Sequence, residues 1–134
     1  VLATVHTNDA PSTVTRMIDM GVEPFLLSSS LIGVLAQRLV RKLCLACRKV
    51  DARGHWHPVG CPVCAMTGYK GRTGVYELMD VGDEIRALIH GRAAEAKIAA
   101  AAHAAGLQSM REDGERLVSE GITSLEEVVR VTRE

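Results

Sequence analysis

Apolar residues recur at helical spacing through "APSTVTRMIDMG", where Val14, Met17 and Ile18 share one face. Asn8 or Asp9 can cap this helix, Pro11 suits its first turn, and Gly21 stops it. Ahead of it, "VLATV" is a β-prone run that switches to polar turn residues in "HTND", the pattern of a strand ending at a site. Pro24 opens "PFLLSSSLIGVLAQRL", whose apolar positions surround nearly the whole circumference, and this predicts a second helix buried on most sides. "RLVRKLC" then leads to a first cysteine pair, and "GRTGVYELMDV", bounded by Gly71 and Gly74, leaves a second pair as a strand. After Asp83 the pattern is helical throughout. "DEIRALIHG" is stopped by Gly91, "AAEAKIAAAAHAAG" by Gly106 and "SMREDGERLVSEG" by Gly121. The last helix, "TSLEEVVRVTRE", has Thr123 and Glu126 at capping-box spacing, with Leu125, Val128 and Val129 facing inward. The expected architecture is an α/β beginning, a pair of metal knuckles and a small C-terminal helical bundle.

Composition narrows the class. With 134 residues there is room for one ordinary domain or two small subdomains, and 47% hydrophobic against 24% charged residues is a globular mixture. Aromatics are only 3%, so the core is built from Ala, Leu, Val, Ile and Met, which suits closely packed helices. Lys plus Arg equals Asp plus Glu at 16 each, so no long-range field argues for direct nucleic-acid binding. Arg38, Arg41 and Lys42 form a local basic cluster beside the cysteines, in character a solvated face. No run of about eighteen apolar residues occurs, so no transmembrane segment is expected and the default location is cytosolic or peripheral.

The four cysteines, Cys44, Cys47, Cys61 and Cys64, form two Cys-x-x-Cys pairs with thirteen residues between them. Each pair makes a tight turn that presents two thiolates to one ion, and two such turns fill a tetrahedron with soft ligands. This is the pattern of a closed structural zinc site, with no open position for a reactive water. A redox dithiol fits less well, because a thioredoxin-like pair begins a helix in a βαβ unit, whereas these pairs are flanked by Gly, Pro and basic residues. His55 and His57 lie in the intervening loop and read as loop residues beside four available thiolates. On its own such a centre supports the fold rather than chemistry.

The flanks carry a resemblance. "VLATVHTNDAPSTVTRMIDMGVEPFLLSSSLIGVLAQRLVRKLC", the two cysteine pairs, "GYKGRTGVYELMDV" and "REDGERLVSEGITSLEEVVRVT" resemble, in collinear order, the C-terminal part of the type II secretion and type IV pilus assembly ATPases. These are traffic ATPases of the GspE/PulE/PilB kind. The resemblance implies an α/β fragment (the end of a RecA-like P-loop core) over 1–43, a tetracysteine zinc-binding subdomain over 44–70, and a strand plus mostly α-helical C-terminal subdomain over 71–134. It also implies a hexameric motor that hydrolyses ATP with Mg2+ at the cytoplasmic face of the inner membrane. Its partners there are secretion or pilus platform components.

In that family the run containing "HTND" is the His box, and its histidine, His6 here, sits near the terminal phosphate of the nucleotide as a catalytic residue. Read on its residues alone, the same histidine is a helix-capping group. Arg72 matches a basic position that contacts nucleotide or a neighbouring subunit; the plain alternative is an exposed arginine at the start of a strand. Glu77 and Asp80 read as solvated strand-end residues.

Two features depart from the family. No G-x-x-x-x-G-K-[ST] phosphate loop occurs in these residues, and "GYKGRTG" has the wrong spacing for one. The loop between the cysteine pairs is also shorter than in many members. The chain therefore reads as an excised piece, expected neither to bind ATP tightly nor to hydrolyse it, with "VLATV" displaced for want of neighbouring strands. The competing reading is an autonomous zinc-ribbon module that binds protein or RNA.

Overall fold

A computed structural model describes residues 1–132. Helix α1 (Ala10–Asp19) starts where the sequence places it. Asp9 is its cap, accepting from the Ser12 N–H at 2.8 Å while the Ser12 hydroxyl accepts from the Asp9 N–H at 3.3 Å. Residues 1–7 form no helix or strand and join no sheet among the described residues, so the strand expected at "VLATV" is absent. A central strand needs partners on both sides, and no other described segment provides them.

The long second helix is also corrected. Helix α2 (Pro24–Ser30) runs for only seven residues, and strand β1 (Gly33–Leu43) takes up the remainder of the apolar run. Near its end, the Ser28 and Ser29 hydroxyls donate to the carbonyls of Phe25 and Leu26, which competes with helix propagation. Leu31 then turns extended. Along β1, Val34, Ala36, Arg38 and Val40 are covered to different degrees while Leu35, Gln37, Leu39 and Arg41 are exposed, a period of two.

Two short strands follow, β2 (Lys49–Val50) and β3 (Trp56–His57), paired antiparallel with Lys49 opposite His57 and Val50 opposite Trp56. A single 3-10 turn covers Pro62–Cys64. Strand β4 (Tyr69–Asp80) pairs with β1 in a second two-stranded sheet. The remaining elements are α3 (Asp83–His90), α4 (Glu95–Ala104), α5 (Met110–Ser119) and α6 (Leu125–Val131). The cap of α6 is Ser124, one residue later than Thr123; the last two residues of the expected helix lie outside the described residues.

By its contacts the chain forms two compact units. The first comprises residues 1–36 and 77–109, and its core joins Ala10 and Val14 of α1, Leu27 of α2, Met79 of β4, Ile85 and Ile89 of α3, and Ile98 of α4. Within it α1 packs on α4, and α3 on both α2 and α4. Each fully buried Val, Leu, Ile or Met contributes about 1.5–3 kcal/mol, so these side chains dominate its stability. The second unit comprises residues 37–76 and the chain from Met110 onward, with α5 packed on α6. It buries Val40, Leu43, Val75, Leu117, Val118 and Val128.

Candidate functional site

The second unit gathers the four cysteines. Their sulfurs all lie within 4.8 Å of one another, and among the described residues they are the only His, Cys, Asp or Glu group arranged to hold a metal ion. Cys44 Sγ to Cys61 Sγ, Cys47 Sγ to Cys64 Sγ and Cys61 Sγ to Cys64 Sγ are each 3.8 Å. Four sulfurs about 2.3 Å from a central zinc in a tetrahedron lie about 3.8 Å apart, so the donor set fits that ion. It does not fit a disulfide, whose sulfurs bond at about 2.05 Å, and all four thiols are unbonded.

Local backbone explains the convergence. The Gly60 N–H donates to Cys47 Sγ at 3.3 Å, while the N–H groups of Cys61 and Gly68 donate to Cys64 Sγ at 3.2 Å each. Gly60 and Gly68 have φ of +115° and +82°, and a Cβ on Gly68 would stand 2.5 Å from Pro58 Cβ. Glycine therefore meets both the left-handed backbone and the close approach that aim these donors at sulfur. Burial pushes the Cys64 thiol up, but its two N–H donors and the neighbouring thiols outweigh that and bring it down to about 6. The Gly60 N–H pulls Cys47 down, yet burial and the surrounding thiols together raise it to about 11.

His55 and His57 stand outside the sulfur group. His57 Nε2 meets Asp51 Oδ2 at 2.7 Å across the loop between β2 and β3. That contact, aided by the N–H groups of His55 and Arg53, lowers the Asp51 carboxyl to about 2. The Arg48 guanidinium stacks over Trp56 at 4.2 Å and donates to the Gly121 carbonyl, tying the knuckle to the turn before α6.

Beside the knuckle an open groove of about 660 Å³ is lined by Arg41, Tyr69, Arg72 and Arg130, among others. Arg72, singled out from the sequence, is exposed at this groove on β4. Arg41 is not a free surface charge. It lies 4.2 Å from the Tyr69 ring centre and donates to Glu127 Oε1 at 2.8 Å, while its backbone N–H reaches Glu127 Oε2 at 2.7 Å. Arg130 donates to both oxygens of the same carboxylate. Burial pushes Glu127 up, but Arg130 and Arg41 together prevail and hold it down at about 2. Thr123, read from the sequence as a cap, instead donates to the Arg41 carbonyl at 2.7 Å.

His6 lies in the first unit and Arg72 in the second. His6 is exposed, in a segment anchored on both sides of Asn8. The Thr7 and Thr13 hydroxyls share a hydrogen bond of 2.8 Å, Asp9 caps α1, and the buried Ala10 N–H donates to Glu77 Oε2 at 2.6 Å. Glu77 is only 4% exposed, which overturns its reading as a solvated strand end. The signal was present in "VYELM": a period of two places Glu77 on the same face of β4 as Val75 and Met79, both buried.

Fold and donor set define an α/β protein with a tetracysteine centre able to hold a metal. The model of the type II/IV secretion system protein family matches residues 1–130, and the chain belongs to that family. It is 63% identical, over its full length, to the type II secretion system protein HxcR of Pseudomonas aeruginosa. It is 47% identical to the type II secretion system ATPase E of Vibrio cholerae, also over its full length. Across 98% of the chain it is 44% identical to the type IV pilus assembly ATPase TfpB of Acinetobacter baylyi. The chain spans 28%, 30% and 26% of these three relatives. Its fold is similar to that of the pilus retraction motor PilT solved with bound ADP, with a TM-score of 0.65 over 98% of the chain and 32% of that structure, at 23% identity. No helix among the described residues is long and apolar enough to cross a membrane.

Proposed function

We propose that these residues form the C-terminal part of a secretion or pilus-assembly ATPase, a hexameric motor that couples ATP hydrolysis to building a pilus or pseudopilus. The observation that carries this reading is the similarity, over 98% of the chain or more, to proteins named as ATPases of those two systems. In that machine residues 1–43 close a RecA-like core, 44–70 form the metal subdomain and 71–134 the C-terminal subdomain, a division by role rather than by contact. The motor works at the cytoplasmic face of the inner membrane, held there by platform proteins, and binds no nucleic acid directly.

Cys44, Cys47, Cys61 and Cys64 hold zinc as a structural ion, which supplies cross-linking of the two knuckles and no reactive water. His6 faces the terminal phosphate of ATP, where an imidazole can orient water or register loss of the phosphate through its hydrogen bonds. Arg72, exposed beside its groove, contacts the nucleotide or a neighbouring subunit. ATP and Mg2+ belong to the longer protein, because the phosphate loop that grips them has no counterpart in these 134 residues.

Nucleotide titration of the 134-residue chain beside the longer parent protein tests this. The parent should bind and hydrolyse ATP, and the isolated chain should do neither; micromolar ATP affinity in the isolated chain would refute the assignment. Metal analysis checks the centre separately. One equivalent of zinc is expected in the wild type, and C44S/C61S should lose it while impairing secretion or assembly by the parent.

A further inference from the structure

Glu77 is a buried carboxylate on a strand, yet it reaches 67 residues back along the chain to the first turn of α1. Its Oε2 accepts the Ala10 N–H at 2.6 Å, a short bond that takes up one of the helix's unpaired N-terminal donors. Ala10 itself is 0% exposed, and Val14 one turn later is equally buried, so the start of α1 cannot shift without disturbing the core. The turn ahead of α1 is fixed to the same point. Asp9 forms its reciprocal cap with Ser12, Thr13 Oγ1 donates to the Asp9 carbonyl at 3.2 Å, and the Thr7 hydroxyl shares its bond with Thr13. His6 is exposed and immediately precedes Thr7, the first residue of this tethered turn.

We propose that Glu77 is a positioning residue: through the Ala10 N–H it fixes the turn of residues 7–9, and with it the place from which His6 acts. This rests on the reading of His6 as the group facing the nucleotide. Glu77 has no part in contacting ATP. Its work is to keep the imidazole from wandering, since a displacement of about 1 Å at a reacting centre can cost about a hundredfold in rate.

The test uses the full-length motor with the variants H6A, E77A, E77Q and H6A/E77A. E77A removes the acceptor; E77Q keeps a carbonyl oxygen able to take the Ala10 N–H. ATPase kcat and KM are measured on folded protein, with amide exchange read at Ala10. E77A should lower kcat about tenfold or more with KM within about twofold. E77Q should retain kcat within about threefold, and H6A/E77A should be no slower than H6A, because one pathway is lost twice. Wild-type kcat in E77A, losses that multiply in the double variant, or E77Q as slow as E77A would overturn the proposal. If H6A alone keeps wild-type kcat, the His6 reading fails by itself and exchange decides the role of Glu77. Faster Ala10 exchange in E77A with protection restored in E77Q upholds the anchor, and unchanged exchange in E77A removes it.

Discussion

Glu127 shows what a single side chain contributes here. Its carboxylate is 1% exposed and would be unfavourable to bury alone, but Arg41 and Arg130 bracket it and the Arg41 N–H takes a further lone pair. A folded-state value of about 2 against an ordinary 4.5 means the native chain holds its ionised form. The stabilisation is therefore complete above about pH 4.5 and is lost progressively as pH falls toward 2, where the native carboxylate also takes a proton. The shift corresponds to about 3 kcal/mol. Melting temperature followed from pH 6 to pH 2 should fall steeply in the lower half of that range, and E127Q should both melt earlier at pH 6 and lose much of the acid dependence. An equally steep acid limb in E127Q would assign it to other carboxylates. Asp51 is also brought down to about 2, chiefly by His57, yet it is exposed and screened, so D51N should barely move the curve.

Among the elements, the α5–α6 contact depends on a missing side chain. A Cβ on Gly114 would stand 2.4 Å from Val128 Cγ1 and 2.9 Å from its Cγ2, and Val128 is wholly buried and β-branched, with no flexible end to yield. Gly114→Ala gains about 1 kcal/mol in helix propensity but overpacks the contact by about 1–3 kcal/mol, so packing prevails. Urea denaturation should show G114A destabilised by up to about 2 kcal/mol, whereas stabilisation would mean that the helices move apart freely. This position reads in the sequence only as a poor helix residue; its use becomes visible once α6 is placed against α5. The β1 segment had the opposite problem. Leu35 and Leu39 are 62% and 50% exposed, so apolar side chains on the outer face hide the alternation that identifies a strand.

At the scale of the whole chain, the metal centre serves one unit more than the other. All four cysteines, both short strands and the chain's one tryptophan belong to the second unit. Zinc held by such a set contributes apparent binding free energy on the order of 10 kcal/mol, larger than the total stability of many small domains. Chelation should therefore change Trp56 fluorescence and expose the amides of Cys47 and of residues 61–68 to exchange, while α1 and α4 stay protected. Uniform loss of protection would mean that the ion supports the chain as a whole. The hairpin that holds Trp56 against Arg48 makes this a local report on the knuckle.

What the sequence determined by itself is whatever depends on near neighbours. Two Cys-x-x-Cys turns declare a four-sulfur centre because each turn closes over four residues, and Gly21, Gly106 and Gly121 end helices because the chain takes a left-handed φ at each. The collinear run of motifs likewise points to the secretion ATPase family. Tertiary structure decided the partners of two carboxylates. Glu77 meets Ala10 across 67 residues and Glu127 meets Arg41 across 86, and no local spacing encodes either pairing. It also decided that "LIGVLAQRLVRKL" is mostly strand, since an apolar run of ambiguous period takes the conformation that its pairing partner, β4, makes available.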